Sequence, residues 1–388
     1  MRRITTERVP IFVWGESADE STMQQTRNLA NLPFAFDHVA LMPDAHVGFG
    51  MPIGGVLAAR GQVIPHAVGL DIGCGMRAWR TNIPAQQLRP VRDAILNDIQ
   101  RSVPQGFEWH HESQAERTDL FDRVPDVPAL TAERAKAERQ LGTLGGGNHF
   151  VELSVDSAGV VWAMIHSGSR NVGKQMAEHY DRLARDENRR SGSGVPLEWG
   201  LAHLEIDSEA GAEYLEVMNW CLAFARENRR LMADAVQRAL SRRFPGVEPA
   251  DAVDVHHNYA AAEEHLGELV IVHRKGAVRA QGTVVVPGSM GTASYLGEGL
   301  ENPDAFESCS HGAGRALGRR EAVRTIPRER VLAELREADV RLFKAKKRDL
   351  AEEAPEAYKD VAAVVEVAHS AGLSAKVARL RPVVCIKG

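Results

Sequence analysis

Residues 148–168, NHFVELSVDSAGVVWAMIHSG, read as two strands with a tight turn between them. NHFVELSVD and VVWAMIHSG are short runs rich in β-branched and aromatic residues, and Asp156-Ser157-Ala158-Gly159 has hairpin-turn chemistry. Near the far end of each run stands a histidine, His149 and His166. Moving outward, the other metal-competent side chains occupy similar segments crowded with glycine or asparagine. Asp71 and Cys74 lie in VGLDIGCGM, His257 in DVHHNYA and His311 in SCSHGAGRALG. Glycine this dense beside imidazoles, a thiol and a carboxylate indicates loops whose backbone comes close to a ligand.

The chain has 388 residues, 44% hydrophobic and 26% charged, the composition of an ordinary soluble globular protein. There is no apolar run long enough for a membrane span, and the N-terminus lacks the apolar stretch of a secretory signal. Four cysteines in this length do not make a disulfide scaffold, so cytoplasmic residence is expected. The net charge of −5 does not favour nucleic acid for the chain as a whole. Local basic groups (Arg189 with Arg190, Arg274 with Lys275, and the 341–348 run) are each more often a solvated face.

Strand and loop are expected over the first 82 residues, helices over 86–102 and 113–141, and a largely helical stretch from Asn171 to Arg243. AVDVHHNY, LVIVHRKGAV and GTVVVPGSMG return to strand and loop, helical patterns resume over 312–350 and 360–369, and an apolar run ends the chain. The fold class is α+β: one mixed-sheet catalytic domain over 1–388 with a helical insertion at about 171–243. Strand and loop blocks carry nearly all the suspect residues, and the helices almost none.

Asp71 and Cys74 form D-x-x-C, which offers carboxylate and thiolate from one tight loop; His149, His166 and His257 supply imidazoles. A single histidine near a strand end is usually a surface or hydrogen-bonded residue, but three in glycine- or asparagine-flanked segments with D-x-x-C point to a metal shell. Zinc suits the Cys/His donors, magnesium or manganese suits carboxylate and phosphate oxygens, and a thiolate can bridge two ions. Asp44 and His46 in MPDAHVG fit a further metal or phosphate motif about as well as a polar turn. His256 should face away from His257, and His110, His111, His179, His203 and His369 read as ordinary surface residues. In SCSHGAGRALG, Gly312, Ala313, Gly314 and Arg315 follow His311, and Arg315 opens a helical pattern. Freed amides, a helix N-terminus and a guanidinium would cradle phosphate, with His311 as base, ligand or nucleophile.

Ten segments in order (LMPDAHVGFG, VGLDIGCGMR, LGGGNHFVEL, IHSGSRNVG, HHNYA, HRKGAV, PGSMGTASY, CSHGAGR, AYKDV and VVCIKG) resemble the signature segments of the RtcB RNA ligase family, from about Leu41 to Gly388. The resemblance implies an RtcB-like fold and a ligase that uses GTP and two manganese ions. Such an enzyme joins RNA ends bearing a 2′,3′-cyclic phosphate or 3′-phosphate to a 5′-hydroxyl, in RNA repair or tRNA splicing. It places the guanylylated histidine at His311 and the metal ligands at Asp71, Cys74, His149, His166 and His257, with Cys74 bridging. It places nucleotide contacts at Asn148, Phe150, Glu152, Ser289, Ser294, His311–Arg315, Tyr358 and Lys387. Glu152 would accept from the N1 and N2 donors of guanine, Lys387 would donate to O6, and Tyr358 or Phe150 would stack on the base. Arg170 and Lys275 become the expected RNA phosphate contacts, with Arg77 and the 341–348 run as lesser ones. A metal-dependent phosphoesterase and a non-catalytic RNA-binding protein are the rival classes. The cellular RNA, activity on DNA 3′-phosphates, oligomeric state and any accessory protein stay open.

Overall fold

The hairpin forms at the expected place: Phe150–Val155 pairs antiparallel with Val160–Ser167, Phe150 opposite His166. Asp156 closes the turn, its Oδ1 accepting from the amides of Ala158 and Val160, both at 2.9 Å. The computed structural model describes residues 1–15, 18–345 and 347–388 (backbone only at 347–349).

The hairpin lies inside an eight-stranded mixed sheet. Along it run Ala250–His256, Gly75–Pro84, Val160–Ser167, Phe150–Val155, the terminal strand Ser374–Lys387, Ser294–Gly299 and Thr283–Val286; Arg341–Lys344 lies parallel to the terminal strand. Antiparallel neighbours reverse direction, so the start of one strand lies beside the end of the next. His256, Gly75, Ser167, Phe150 and Lys387 therefore fall in sequence along one edge. That edge gathers Cys74 and His257, far apart in sequence, beside His149 and His166 of the one hairpin.

A second, six-stranded sheet contains the long hairpin Ala35–Phe49 and Met51–Ala59, followed by Glu268–Lys275 and Asn258–His265. At its tip Gly50 has φ +68°, and a Cβ there would stand 2.4 Å from the carbonyl oxygen of Gly200, so glycine is required. This hairpin delivers Asp44 and His46.

Two helices, Arg170–Ser191 and Glu209–Ser241, occupy the stretch expected to be helical. The longer one carries two fully buried polar residues. Asn228 accepts from the amides of Gly142 and Thr143 and donates to the carbonyls of Thr143 and Gly168. Arg229 donates Nη1 to the carbonyls of Gly73 and Ser167, each at 2.9 Å, and pairs through Nε with Asp254 at 3.1 Å.

Several expectations need correction. Glu20–Ala30 is a helix within the part expected to be strand and loop; Asp19 caps it by accepting from the Thr22 amide at 2.7 Å, and Met23 and Leu29 are buried. Of 113–141, only Pro128–Gln140 is α-helix, because Pro125 and Pro128 confine regular helix to the residues that follow. Among the described residues of 312–350 there are two short α-helices, Arg319–Thr325 and Arg328–Glu337, separated at Pro327, then a strand and the start of a 3-10 helix at Lys347. His203 is buried, its ring 4.5 Å from that of Phe34. Among the described residues no helix is long and apolar enough to cross a membrane.

Replacing Arg229 by Met leaves Asp254 without its buried cation and frees two carbonyls. Unfolding in urea should show a loss of about 3–5 kcal/mol; a loss below 1 kcal/mol on that scale would contradict this role.

Candidate active site

At the sheet edge Cys74 Sγ stands 3.5 Å from His149 Nε2 and 3.3 Å from His166 Nε2. His166 Nε2 is 3.1 Å from His257 Nε2, and His149 Nε2 is 2.9 Å from Asp71 Oδ2. Two groups of three result, Asp71–Cys74–His149 and Cys74–His166–His257, and they share the thiol.

The donors fit metal ions, as the hydrogen bonds behind them show. His149 Nδ1 faces the Leu144 carbonyl at 3.0 Å and is therefore the protonated nitrogen. His257 Nδ1 lies 3.3 Å from Asn258 Oδ1, which also accepts from the Gly276 amide and so is an acceptor. The Nε2 lone pair of His149 is left pointing at a thiol and a carboxylate, and that of His257 at His166 Nε2. Asp71 Oδ1 is buried with no hydrogen bond among the described residues. Lone pairs converging with so little hydrogen between them call for cations. Burial holds His166 and His257 well below the ordinary histidine range, so both rings are neutral. Burial, with the charge of Asp71 adding to it, pushes the Cys74 thiol well up. Asp71 fits only because residue 168 is glycine: a Cβ there would lie 2.2 Å from Asp71 Oδ1.

Next to this shell is a pocket lined by His46, Asn148, Phe150, His166, Ser289, His311, Gly312, Ala313, Gly314, Arg315, Arg319, Glu353, Tyr358 and Lys387. His311 connects the two, with its ring centroid 4.7 Å from that of His257. Its Nδ1 stands 2.7 Å from Asp44 Oδ2, close enough for an ion pair although off the line of a good hydrogen bond. Asp44 Oδ2 also accepts from the amides of His311 (3.2 Å) and Gly312 (3.3 Å). Burial alone would raise the Asp44 carboxyl, but His311 and His46 outweigh it and hold the group below the usual carboxylate range. Burial pushes His46 down to about 4, so it is neutral. Gly314 has φ +74°, and a Cβ there would meet the Asp44 carbonyl oxygen at 2.1 Å.

The pocket differs from its sequence-based picture in two respects. No helix begins at Arg315, and the nearest starts at Arg319. The amides of His311 and Gly312 go to Asp44 and that of Ala313 to the Pro287 carbonyl. The guanidinium of Arg315 lies over the Tyr358 ring, 4.8 Å from its centroid. Glu152 and Ser294 lie behind the pocket wall. Glu152 is 3% exposed, takes a hydrogen bond from Ser154 at 2.6 Å, and is raised by burial to about 7. Ser294 Oγ accepts from the Gly288 amide at 3.2 Å and steadies the loop that carries Ser289.

The carboxylate on the pocket wall is Glu353, which sequence reasoning missed. It holds Lys387 Nζ at 2.6 Å and the Tyr358 hydroxyl at 2.8 Å. Its position within EEAPEAY, a short acidic run, looks like a solvated turn, and only the fold turns it inward. Asn228 and Arg229 were missed for the same reason, as polar residues that read as a solvated helix face.

Arg170, at the start of its helix, donates Nε to Thr143 Oγ1 at 3.2 Å and lies over Gly145, where a Cβ would collide with its guanidinium. Lys275 is 8% exposed, donates Nζ to the carbonyls of Phe49 (2.6 Å) and His66 (2.9 Å), and is brought down by burial to about 7. Arg77 pairs with Asp254 and Arg341 with Asp93, while Lys344 is buried and donates to the Gly388 carbonyl. Lys346 and the side chains of Lys347 and Arg348 lie outside the described residues. His256 turns away from the shell, its Nδ1 3.0 Å from the Gly73 carbonyl.

Two outcomes follow for metal binding. Gly168→Ala should displace the Asp71 carboxylate and lower bound metal, read by elemental analysis after dialysis; full occupancy would contradict the steric argument. In the metal-free site Cys74 keeps its proton, and an ion must displace it. Affinity for Mn²⁺ measured by calorimetry should therefore rise about tenfold per pH unit around neutrality, and Cys74→Ala should flatten that slope.

The family described as tRNA-splicing ligase RtcB matches residues 25–388. The RNA-splicing ligase RtcB of Escherichia coli K12 is 35% identical, covering 99% of this chain and 99% of its own length. The tRNA-splicing ligase RtcB of Thermococcus kodakarensis is 34% identical over 95% of this chain and 91% of its own, and the RNA-splicing ligase RtcB of Mycobacterium tuberculosis is 35% identical over 94% and 100%. The chain belongs to the RtcB family of RNA-splicing ligases and is a ligase.

Proposed function

We propose that the whole chain acts as one GTP- and manganese-dependent ligase domain. It joins RNA ends carrying a 2′,3′-cyclic phosphate or 3′-phosphate to 5′-hydroxyl ends, in the cytoplasm, through a guanylylated His311. The observation that carries the reading is the position of His311. It sits between a buried carboxylate and a metal-competent shell, on the wall of a pocket lined with aromatic rings and cations.

In this reading Asp71, Cys74 and His149 hold one ion and Cys74, His166 and His257 the other. Bound cations would offset charge on phosphate oxygens and activate leaving groups. The protein's own residues do the rest. With Nδ1 held toward Asp44, His311 presents its Nε2 lone pair to the α-phosphorus of GTP. The N–P bond forms as the bond to pyrophosphate breaks, and Asp44 balances the positive imidazole that results. An oxygen of the RNA 3′-phosphate then takes the GMP group, which breaks the N–P bond and restores the free ring. A cyclic phosphate must first be hydrolysed to that 3′-phosphate. The 5′-hydroxyl next attacks the activated 3′-phosphorus and GMP leaves. Phe150 and Tyr358 flank the space for the base, and Lys387, held by Glu353, supports recognition of O6. Arg315 and Arg319 supply positive charge for phosphates.

Incubation with α-labelled GTP and Mn²⁺ should put label on the wild-type protein and none on His311→Ala. Asp44→Asn should label more slowly by on the order of 100-fold or more. Mg²⁺ and Zn²⁺ run in parallel test the choice of ion. Label retained by His311→Ala would overturn the nucleophile, and no label on wild type with any ion would favour a phosphoesterase.

A further inference from the structure

The shell and the pocket account for metal, phosphate and GTP, but neither provides a surface for the bases of the RNA being joined. Three large apolar side chains beside them are exposed: Val47 (49%), Phe49 (59%) and Leu70 (43%). Each stands next to machinery. Val47 follows His46 of the pocket wall, and Leu70 precedes Asp71 of the shell. Val47 and Phe49 are both exposed at the tip of the same hairpin strand, where the pairing register shifts.

The rim is also held rigidly. The Phe49 ring is perpendicular to that of His66 at 4.6 Å, and His66 Nδ1 is in turn 2.9 Å from Asp181. Lys275 reaches across to bond the carbonyls of both Phe49 and His66. Its Cε comes within 3.5 Å of where a Cβ on Gly69 would lie, one residue from Leu70. Lys275, expected from sequence to touch RNA phosphate, is here the brace that ties the two loops of the rim together. A buried lysine spent on backbone carbonyls to hold an exposed aromatic ring makes sense if the ring has a ligand.

We infer that Val47, Phe49 and Leu70 form a nucleobase subsite, where the base of an RNA nucleotide adjoining the reacting ends stacks on Phe49. This rests on the RNA-ligase reading above. RNA is favoured because the rim shares its loops with the shell and the pocket. Recognition by stacking needs no particular base, as suits an enzyme that joins ends of varied sequence.

The test uses full-length enzyme and a short single-stranded RNA with a 3′-phosphate and a 5′-hydroxyl. Affinity is read by mobility shift, and guanylylation by label from GTP. Phe49→Ala should weaken RNA binding between about five- and a hundredfold and leave guanylylation unchanged, and Phe49→Trp should restore affinity. Abasic substitution at one position near an end should cost the wild type the same factor and cost Phe49→Ala nothing more. Unchanged RNA affinity, an equal fall in guanylylation, equal abasic losses in both proteins, or a change in oligomeric state in its place would each overturn the subsite. If wild type binds RNA but takes no label, the ligase mechanism fails while the subsite is still measured.

Discussion

The site depends on one buried guanidinium. Arg229 is wholly buried, and a charge there is tolerable only if each of its donors finds a partner. The partners are the carbonyl before Cys74, the carbonyl after His166 and the carboxylate of Asp254, on the strand that leads into His257. Satisfying Arg229 thus sets the positions of three ligand-bearing segments at once. Asn228, its neighbour, does the same for the backbone at 142–143, ahead of His149, and at Gly168, just after His166. The long helix therefore braces the backbone on which the shell is built.

Around that clamp the site divides by charge. The shell is a collection of lone pairs, two of them fixed as acceptors by hydrogen bonds on the far side of their rings. The pocket beside it is lined with cations, two of which converge on the buried Glu353. His311 belongs to both halves, with Asp44 setting its direction. Glycine matters where a side chain would collide with this machinery, at Gly168 against Asp71 and at Gly314 against Asp44.

The central hairpin was legible because turn chemistry and β-branched runs are local signals. The metal-competent residues were legible because their loops are rich in glycine. Their convergence follows from strand order, which no local pattern encodes. The helix at Glu20–Ala30 was hidden because its buried face includes threonines, so its apolar stripe is thin. Asn228 and Arg229 were hidden because a polar pair in a long helix reads as an exposed face until the loops around it are in place. The stretch after His311 suggested a helix, but its amides are taken by Asp44 and Pro287, and the backbone stays irregular there.

The claim on which the account turns is that Cys74 is shared between two ion sites. Anomalous diffraction at the manganese edge, from crystals grown with Mn²⁺, tests it directly. Two peaks are predicted, one among Asp71, Cys74 and His149 and the other among Cys74, His166 and His257. A single peak, or two peaks of which either lies out of contact with the Cys74 sulfur, would contradict it.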